Sequence, residues 1–355
     1  MRYKLLGRSG LKVSELCLGT MTFGTEFGWG STKEESKKIF SHFVEKGGNF
    51  FDTANYYTRG TSESYLGEFI GKRREEFIIG TKYSLCTRPS DPNAGGNHRK
   101  NMVQSLDESL KRLKMEYIDL YWVHAWDGFT PVEEVMRALD DMIRMGKILY
   151  IGISDMPAWL IAKANTLAEF RGLTPFIAMQ LNYNLLERSI EREYLPMAKE
   201  LDLAITAWSP IAGGVLSGKY SKKNGQGPYV EARYHINKTW GDRLMTPRNF
   251  DIVELVIQIA KESGCSPTQV ALNWVRQKGN MIIPIVGAKT EIQLRDDLEC
   301  LDFNLTDDQI NRLNEISKID IGFPYDFLNQ ENVRKLIHGE VFQSIEYYKL
   351  QHANT

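Results

Sequence analysis

No Cys-x-x-Cys pair occurs in this sequence, and its four cysteines, Cys17, Cys86, Cys265 and Cys300, lie far apart with no histidine at ligand spacing. That pattern argues against a structural zinc site and for reduced thiols with no bound metal. Charge of one sign is not in excess either, since 44 basic residues stand against 45 acidic ones. Nucleic acid and anionic membrane are therefore not expected partners, and any anion site must be local. Long hydrophobic runs are also missing. The opening MRYKLLGRSGLKVSELCLG holds no apolar segment of signal-peptide length, and no run elsewhere reaches bilayer thickness, so a cytoplasmic protein is expected. Glycine is plentiful, yet no Gly-x-Gly-x-x-Gly opens the chain, and a Rossmann fold lacks its fingerprint.

What is present is an alternation. Eight short apolar runs, LCLGTMTF (16–23), NFFDTA (49–54), FIIGTKYS (77–84), YIDLYWVHA (117–125), ILYIGIS (148–154), FIAMQLNYN (176–184), AITAWSP (204–210) and MIIPIVGA (281–288), are separated by longer segments of helical period. Near-continuous hydrophobicity predicts strands covered on both faces, as in a parallel sheet with crossover helices. Helix starts are marked by a hydroxyl with Glu or Gln three residues on: Thr32 with Glu35, Thr130-Pro131 with Glu133, Ser266-Pro267 with Gln269, and Thr306 with Gln309. A unit repeated eight times at roughly 30-residue spacing fits an α/β fold of the closed (β/α)8 TIM barrel type better than an open sheet. Ahead of it, YKLLGRSGLKVSEL predicts a β-hairpin turning at Gly7 to Gly10. The expected organisation is one barrel domain over 1–355 with extra helices. It carries a long glycine-rich insertion at about 213–250 and a C-terminal extension from about 319, which contains aromatics and is expected to pack against the barrel.

In a parallel barrel the loops at the carboxyl ends of the strands build the active site. Four polar residues fall there: Asp52 ends the second run, Tyr57 follows in the next loop, Lys82 is near the end of the third and His124 near the end of the fourth. Singly, each has a structural explanation, as a turn cap, a loop aromatic, an ordinary ion-pair member and a core histidine. Together they make a proton-transfer device. A phenol, with a pKa of about 10, is a poor donor near neutrality unless a cation lies beside it. Lys82 is placed to be that cation, Asp52 to be the anion a buried ammonium requires, and His124 to orient a carbonyl oxygen or relay the proton.

Eight blocks, GRSGLKVSELCLGTMTFG, FDTANYY with GTSESYLGEF, TKY, IDLYWVH, GISD, MQLNYN, AWSPIAGGVLSGKY and PIVGAKTEIQLRDDL, follow one another in an order that resembles the aldo-keto reductase superfamily as far as about Leu305. The resemblance implies a catalytic tetrad of Asp52, Tyr57, Lys82 and His124, with Tyr57 rather than Tyr56 as donor. It also implies a nicotinamide dinucleotide extended across the barrel mouth, NADP(H) in preference to NAD(H), and a small-molecule carbonyl substrate. Ser154, Asp155 and Gln180 match positions that hold the nicotinamide carboxamide, and Trp208 one that stacks on its ring. Ser209, Ile211, Gly213, Leu216, Ser217 and Lys219 match the loop beside the pyrophosphate, where small residues admit close backbone approach. Gly287, Lys289, Gln293, Asp296 and Asp297 match the adenosine end, with Lys289 the residue for a 2′-phosphate. Two departures put a carboxyl where an amide is common: Ser154-Asp155 replaces Ser-Asn, and Asp296-Asp297 replaces Glu-Asn. From loop position, Phe23, Trp29, Tyr56, Trp126, Tyr234 and Trp240 are expected to line the substrate pocket.

The activity so implied is reduction of an aldehyde or ketone to an alcohol, with hydride from nicotinamide and the proton from Tyr57. Two other readings compete. Barrels of this superfamily also serve as nicotinamide-binding regulatory or auxiliary subunits of the channel β-subunit type. Lys82 as a Schiff-base nucleophile of an aldolase-like barrel is the other, and it leaves the Tyr, His and cofactor-loop matches unexplained.

Overall fold

The computed structural model describes residues 1–220 and 243–345. Its eight barrel strands coincide with the eight apolar runs. An antiparallel hairpin, β1 (Tyr3–Leu5) and β2 (Lys12–Ser14), comes first, closed through the Leu6 N–H donating to Leu11 O. The barrel follows: β3 (Cys17–Gly19), β4 (Phe50–Asp52), β5 (Ile78–Tyr83), β6 (Ile118–Val123), β7 (Ile148–Ser154), β8 (Ala178–Asn182), β9 (Ala204–Trp208) and β10 (Ile282–Val286). They pair in parallel in sequence order, and β10 returns to β3 to close the ring.

Closure turns the two-residue period of each strand into two cores. Leu18, Phe51, Ile79, Tyr121, Ile153, Met179 and Ile205 join the outer layer beneath the helices. Cys17, Phe50, Leu120, Trp122, Ala178, Ala204 and Ile283 fill the interior, which Leu6 and Val13 of the hairpin plug from below. Trp122 is the interior's largest side chain, and glycines on both neighbouring strands make room for it. A Cβ on Gly152 would lie 2.3 Å from its ring, and one on Gly80 2.8 Å from its Nε1. The same parity continues upward. Phe50 leads to Asp52, Gly80 to Lys82, Trp122 to His124, Gly152 to Ser154, Ala178 to Gln180 and Ala204 to Trp208. One inward-facing series is thus apolar low in the barrel and polar at its carboxyl end.

The covering helices are α1 (Lys33–Glu45), α2 (Thr61–Ile70), α3 (Arg99–Leu113), α4 (Val132–Arg144), α5 (Ala158–Arg171), α6 (Tyr194–Leu201), α7 (Pro247–Ser263), α8 (Pro267–Arg276) and α9 (Glu291–Leu298). They are followed by α10 (Asp307–Ile316), α11 (Tyr325–Leu328) and α12 (Glu331–His338). Ser266 with Gln269 and Thr306 with Gln309 form complete capping boxes. Thr32 makes half of one, because Glu35 turns its carboxylate to the Glu291 N–H at 2.7 Å and so ties α1 to α9. The fourth expected cap is absent. Pro131 stands at the N-cap of α4, while the Thr130 hydroxyl donates to Asp127 Oδ2 at 2.7 Å and Glu133 pairs with Lys163. The helix begins one residue past Thr130, whose backbone N–H and hydroxyl are both held by Asp127 in the preceding turn.

Of the long insertion, 213–220 form a turn and α7 begins at Pro247; 221–242 lie outside the described residues. The C-terminal extension is tied to the rim by polar contacts. Arg192 Nη2 donates to Asp320 O at 2.8 Å and Tyr325 Oη to Glu193 Oε2 at 3.1 Å. Among its described residues, Phe323 is 82% exposed and Phe327 47%, while Val333 is buried. Among the described residues, no helix is long and apolar enough to cross a membrane.

Candidate active site

Four groups converge where β4, β5 and β6 end. Lys82 is wholly buried, and three acceptors take its three N–H bonds: Asp52 Oδ2 at 2.5 Å, Thr53 O at 2.8 Å and Tyr57 Oη at 3.2 Å. Burial disfavours the ammonium, but Asp52 and then Tyr57 outweigh it and raise the Lys82 pKa above the ordinary lysine value. A charged, fully coordinated and inaccessible amine has no free electron pair for a carbonyl carbon, which removes the Schiff-base reading. Burial pushes the Asp52 carboxyl up, against the pull of Lys82 and Gln180, and the ammonium in contact keeps the two an ion pair.

The other Asp52 oxygen, Oδ1, accepts from Gln180 Nε2 at 2.9 Å. Sequence reasoning assigned Gln180 to the cofactor alone and missed this contact. No local motif marks it, because it joins β4 to β8 across the barrel. His124 sits with its ring 5.8 Å from that of Tyr57, edge to face. Burial, and then the charge of Lys82, push the imidazole well below its ordinary pKa, so the ring is neutral. Its Nδ1 is buried with no hydrogen-bond partner among the described residues.

The turn that carries Tyr57 is held in an unusual shape. Thr58 and Arg59 adopt left-handed φ values of 45° and 55°, a conformation that non-glycine residues rarely take. The Thr58 hydroxyl secures it, donating to Phe23 O at 2.6 Å and accepting from the Ser62 N–H at 3.0 Å. The phenol is thereby aimed inward by the fold, not by the side chain's own preference.

A cavity of about 760 Å³ opens above these groups and runs toward α8 and α9. It is lined by Trp29, Asp52, Tyr56, Tyr57, His124, Ser154, Asp155, Gln180 and Trp208 at one end. Ser209, Ile211, Gly213, Ser217, Lys219, Gly287, Lys289, Gln293, Asp296 and Asp297 continue the wall to the other. Lys82 lies beneath the floor. Phe23 and Leu216 do not reach the cavity: both are fully buried, and Phe23 packs edge-on against Phe69, so its loop turns the ring into the helix layer. Trp126 packs against the outer core instead of the cavity, and Tyr234 and Trp240 lie outside the described residues. Phe27, Thr268 and Leu272 line the cavity without having been expected. Phe27 had a signal, since it lies between Phe23 and Trp29 in one aromatic loop; the two α8 positions had none.

The wall fits a dinucleotide. Ser209, Ala212, Gly213 and Gly214 all have positive φ, which folds the chain after β9 into a tight turn. A Cβ on Gly214 would meet Lys219 Nζ at 2.8 Å, so the missing side chain lets that ammonium fold over the turn. Burial, and then the charge of Lys289, lower the Lys219 pKa. Neither lysine pairs with a carboxylate among the described residues. Two cations facing one cleft, neither paired with an acid among the described residues, suit phosphate groups. At the opposite end, Trp208 Nε1 donates to Asp155 Oδ1 at 3.3 Å, so the carboxyl found in place of an amide steadies the indole.

The sequence pattern of the Aldo/keto reductase family matches residues 15–318. The chain belongs to that family. It is 36% identical to a norsolorinic acid reductase of Emericella nidulans over 340 residues, 92% of this chain and 84% of that one. It is 34% identical to an NADP(+) aryl-alcohol dehydrogenase of Phanerodontia chrysosporium over 348 residues, covering 93% and 89%. An aryl-alcohol dehydrogenase of Pestalotiopsis microspora is 35% identical over 337 residues, covering 92% and 85%. This aldo-keto reductase is therefore an oxidoreductase that uses a nicotinamide cofactor to reduce carbonyl groups of small molecules.

Proposed function

We propose that this aldo-keto reductase uses NADP(H) to reduce an aromatic aldehyde or ketone, with Tyr57 as proton donor. The observation that carries the proposal is the Tyr57 phenol within 3.2 Å of the Lys82 ammonium at the cavity floor. The reduced dinucleotide, when bound, supplies hydride to the carbonyl carbon. Tyr57 Oη gives its proton to the carbonyl oxygen. Lys82 stabilises the phenolate left behind, and Asp52 keeps Lys82 charged. His124, being neutral, is suited to donate a ring N–H to the same oxygen and set its direction. Trp208, steadied by Asp155, is assigned to the face of the nicotinamide, and Ser154 with Gln180 to its carboxamide.

The aromatic class of substrate rests on the cavity mouth. Phe27 stands 6.0 Å from Trp29 and 5.9 Å from Tyr56, ring centre to ring centre, and all three line the cleft. The relatives named for aryl alcohols and norsolorinic acid agree with that class. A panel of aryl and small aliphatic carbonyls, run with NADPH and with NADH while following nicotinamide absorbance, tests the reading. Trp29→Ala should raise KM for aryl aldehydes by about two- to tenfold, the worth of one aromatic contact, and leave short aliphatic aldehydes unaffected. Equal losses on both classes would remove the aromatic wall from the argument.

Lys289 carries the choice of the phosphorylated cofactor. Replacing it with Met should weaken NADPH by roughly 1.5–3 kcal/mol, one charge-assisted hydrogen bond, and NADH far less. Fluorescence titration of the tryptophans decides this, and parallel losses would show that Lys289 does not read the 2′-phosphate. A cytoplasmic location accords with four free cysteines.

A further inference from the structure

The adenosine end of the cavity contains two adjacent carboxyl groups treated very differently by the fold. Asp296 is well satisfied: Ser266 Oγ donates to its Oδ2 at 2.8 Å and Gln269 Nε2 to its Oδ1 at 2.9 Å. Asp297, one residue on, is only 6% exposed and lines the cavity, and among the described residues no donor reaches it. A buried carboxyl with no donor, one residue from a second carboxyl that takes two donors, is an arrangement in which the donorless group keeps its proton.

We propose that Asp297 is a neutral carboxylic acid that grips the cofactor's adenine with its O–H and C=O together, and loses that grip when ionised. The inference rests on the NADP(H) reading above. An acid group offers one donor and one acceptor, the same pair an amide offers, and this matches the amino group and ring nitrogen on one edge of adenine. The carboxyl found where an amide is common is thus a replacement that preserves the pattern, provided it stays protonated. An ionised Asp297 would accept only, and would add negative charge to a cleft built for phosphates.

The surrounding charges set the window. Burial first, and then the charge of Asp296, push the Asp297 carboxyl up to about 8. Lys219 from the turn after β9 and Lys289 from the loop after β10 line the same cavity, Glu299 shares Gln269 with Asp296, and the Cys300 thiol below is itself pushed up by burial. From α8 the cavity receives only the uncharged Thr268 and Leu272. Lys219 also loses charge as pH rises, so the test must separate it from Asp297.

The experiment measures the affinity of the intact protein for NADPH and for adenosine 2′,5′-bisphosphate, which lacks nicotinamide, from about pH 6.5 to about pH 9.5, comparing wild type with Asp297→Asn. With a pKa of about 8, an acid that binds only when protonated costs about thirtyfold in affinity by about pH 9.5. The wild type should show that loss for both ligands, with proton uptake on binding in calorimetry at the upper pH. Asp297→Asn should bind within severalfold of wild type at the lower pH and keep only the slope due to Lys219. A flat wild-type profile, or the same slope and proton uptake in both proteins, would overturn the role of Asp297 alone. Failure of both ligands to bind either protein would overturn the NADP(H) reading and this proposal with it.

Discussion

Tyr57→Phe is expected to lower kcat for carbonyl reduction by about 10²–10⁴-fold, the usual worth of a positioned general acid, with NADPH affinity nearly unchanged. The substitution removes one oxygen. The ring keeps its edge-to-face contact with His124 and its place against the Lys82 ammonium, 4.7 Å from the ring centre. One of the three acceptors of a buried ammonium is lost, so a stability loss of about 1–3 kcal/mol should accompany the kinetic effect. The adjacent phenol supplies the control. Tyr56 is 43% exposed and packs on Phe27 at the mouth, so Tyr56→Phe should leave kcat close to wild type. A collapse of kcat in the Tyr56 variant with normal turnover in the Tyr57 variant would transfer the donor role to the wrong phenol.

The barrel was legible because its information is local and periodic. Apart from Asp119, which pairs with Arg74, runs such as FIIGTKYS and YIDLYWVHA carry mostly apolar residues at both parities until the carboxyl end of the strand, where Lys82 and His124 break the pattern. A break in hydrophobicity at a carboxyl end can be seen in one dimension. The Gln180 to Asp52 contact cannot, because each residue has a sufficient local reason to be polar and only ring closure brings them together. Loop aromatics fail for a related reason. Phe23 and Phe27 lie four residues apart in one loop, yet one is buried against Phe69 and the other lines the cleft. Their fates are decided by the left-handed turn at Gly24 and by Thr58 reaching back to Phe23 O. The capping boxes divide in the same way: Ser266 caps its helix while also donating to Asp296, and Thr306 caps its own, whereas Thr130 falls one residue short of the N-cap and is held by Asp127.

Asp52→Asn should slow reduction by about 10²-fold or more and shift the pH dependence of kcat, because it removes the charge that holds Lys82 as an ammonium beside the phenol. The variant keeps shape and one acceptor. Its new amide group, however, faces either Lys82 Nζ or Gln180 Nε2, both donors, so Gln180 must turn its own oxygen toward it. Lys82 then has two courses. It stays charged without its counter-ion, at a cost of about 3–5 kcal/mol, or it releases its proton and no longer favours the phenolate. The sign of the stability change follows from the wild-type shift. Lys82 is raised in the folded chain, so its ion pair stabilises the fold fully below the unfolded lysine pKa, and that contribution is lost as pH rises through the folded value. Without Asp52 the loss should begin at lower pH, and thermal melts across the alkaline range would record it. The kinetic profile belongs to Asp52, Lys82 and Tyr57 as a coupled set, so its inflections are apparent values for the set. A folded, NADPH-bound Asp52→Asn protein with the wild-type rate and pH profile would reduce Asp52 to a cap on the end of β4, and Thr53 O with Tyr57 Oη would then suffice to keep Lys82 charged.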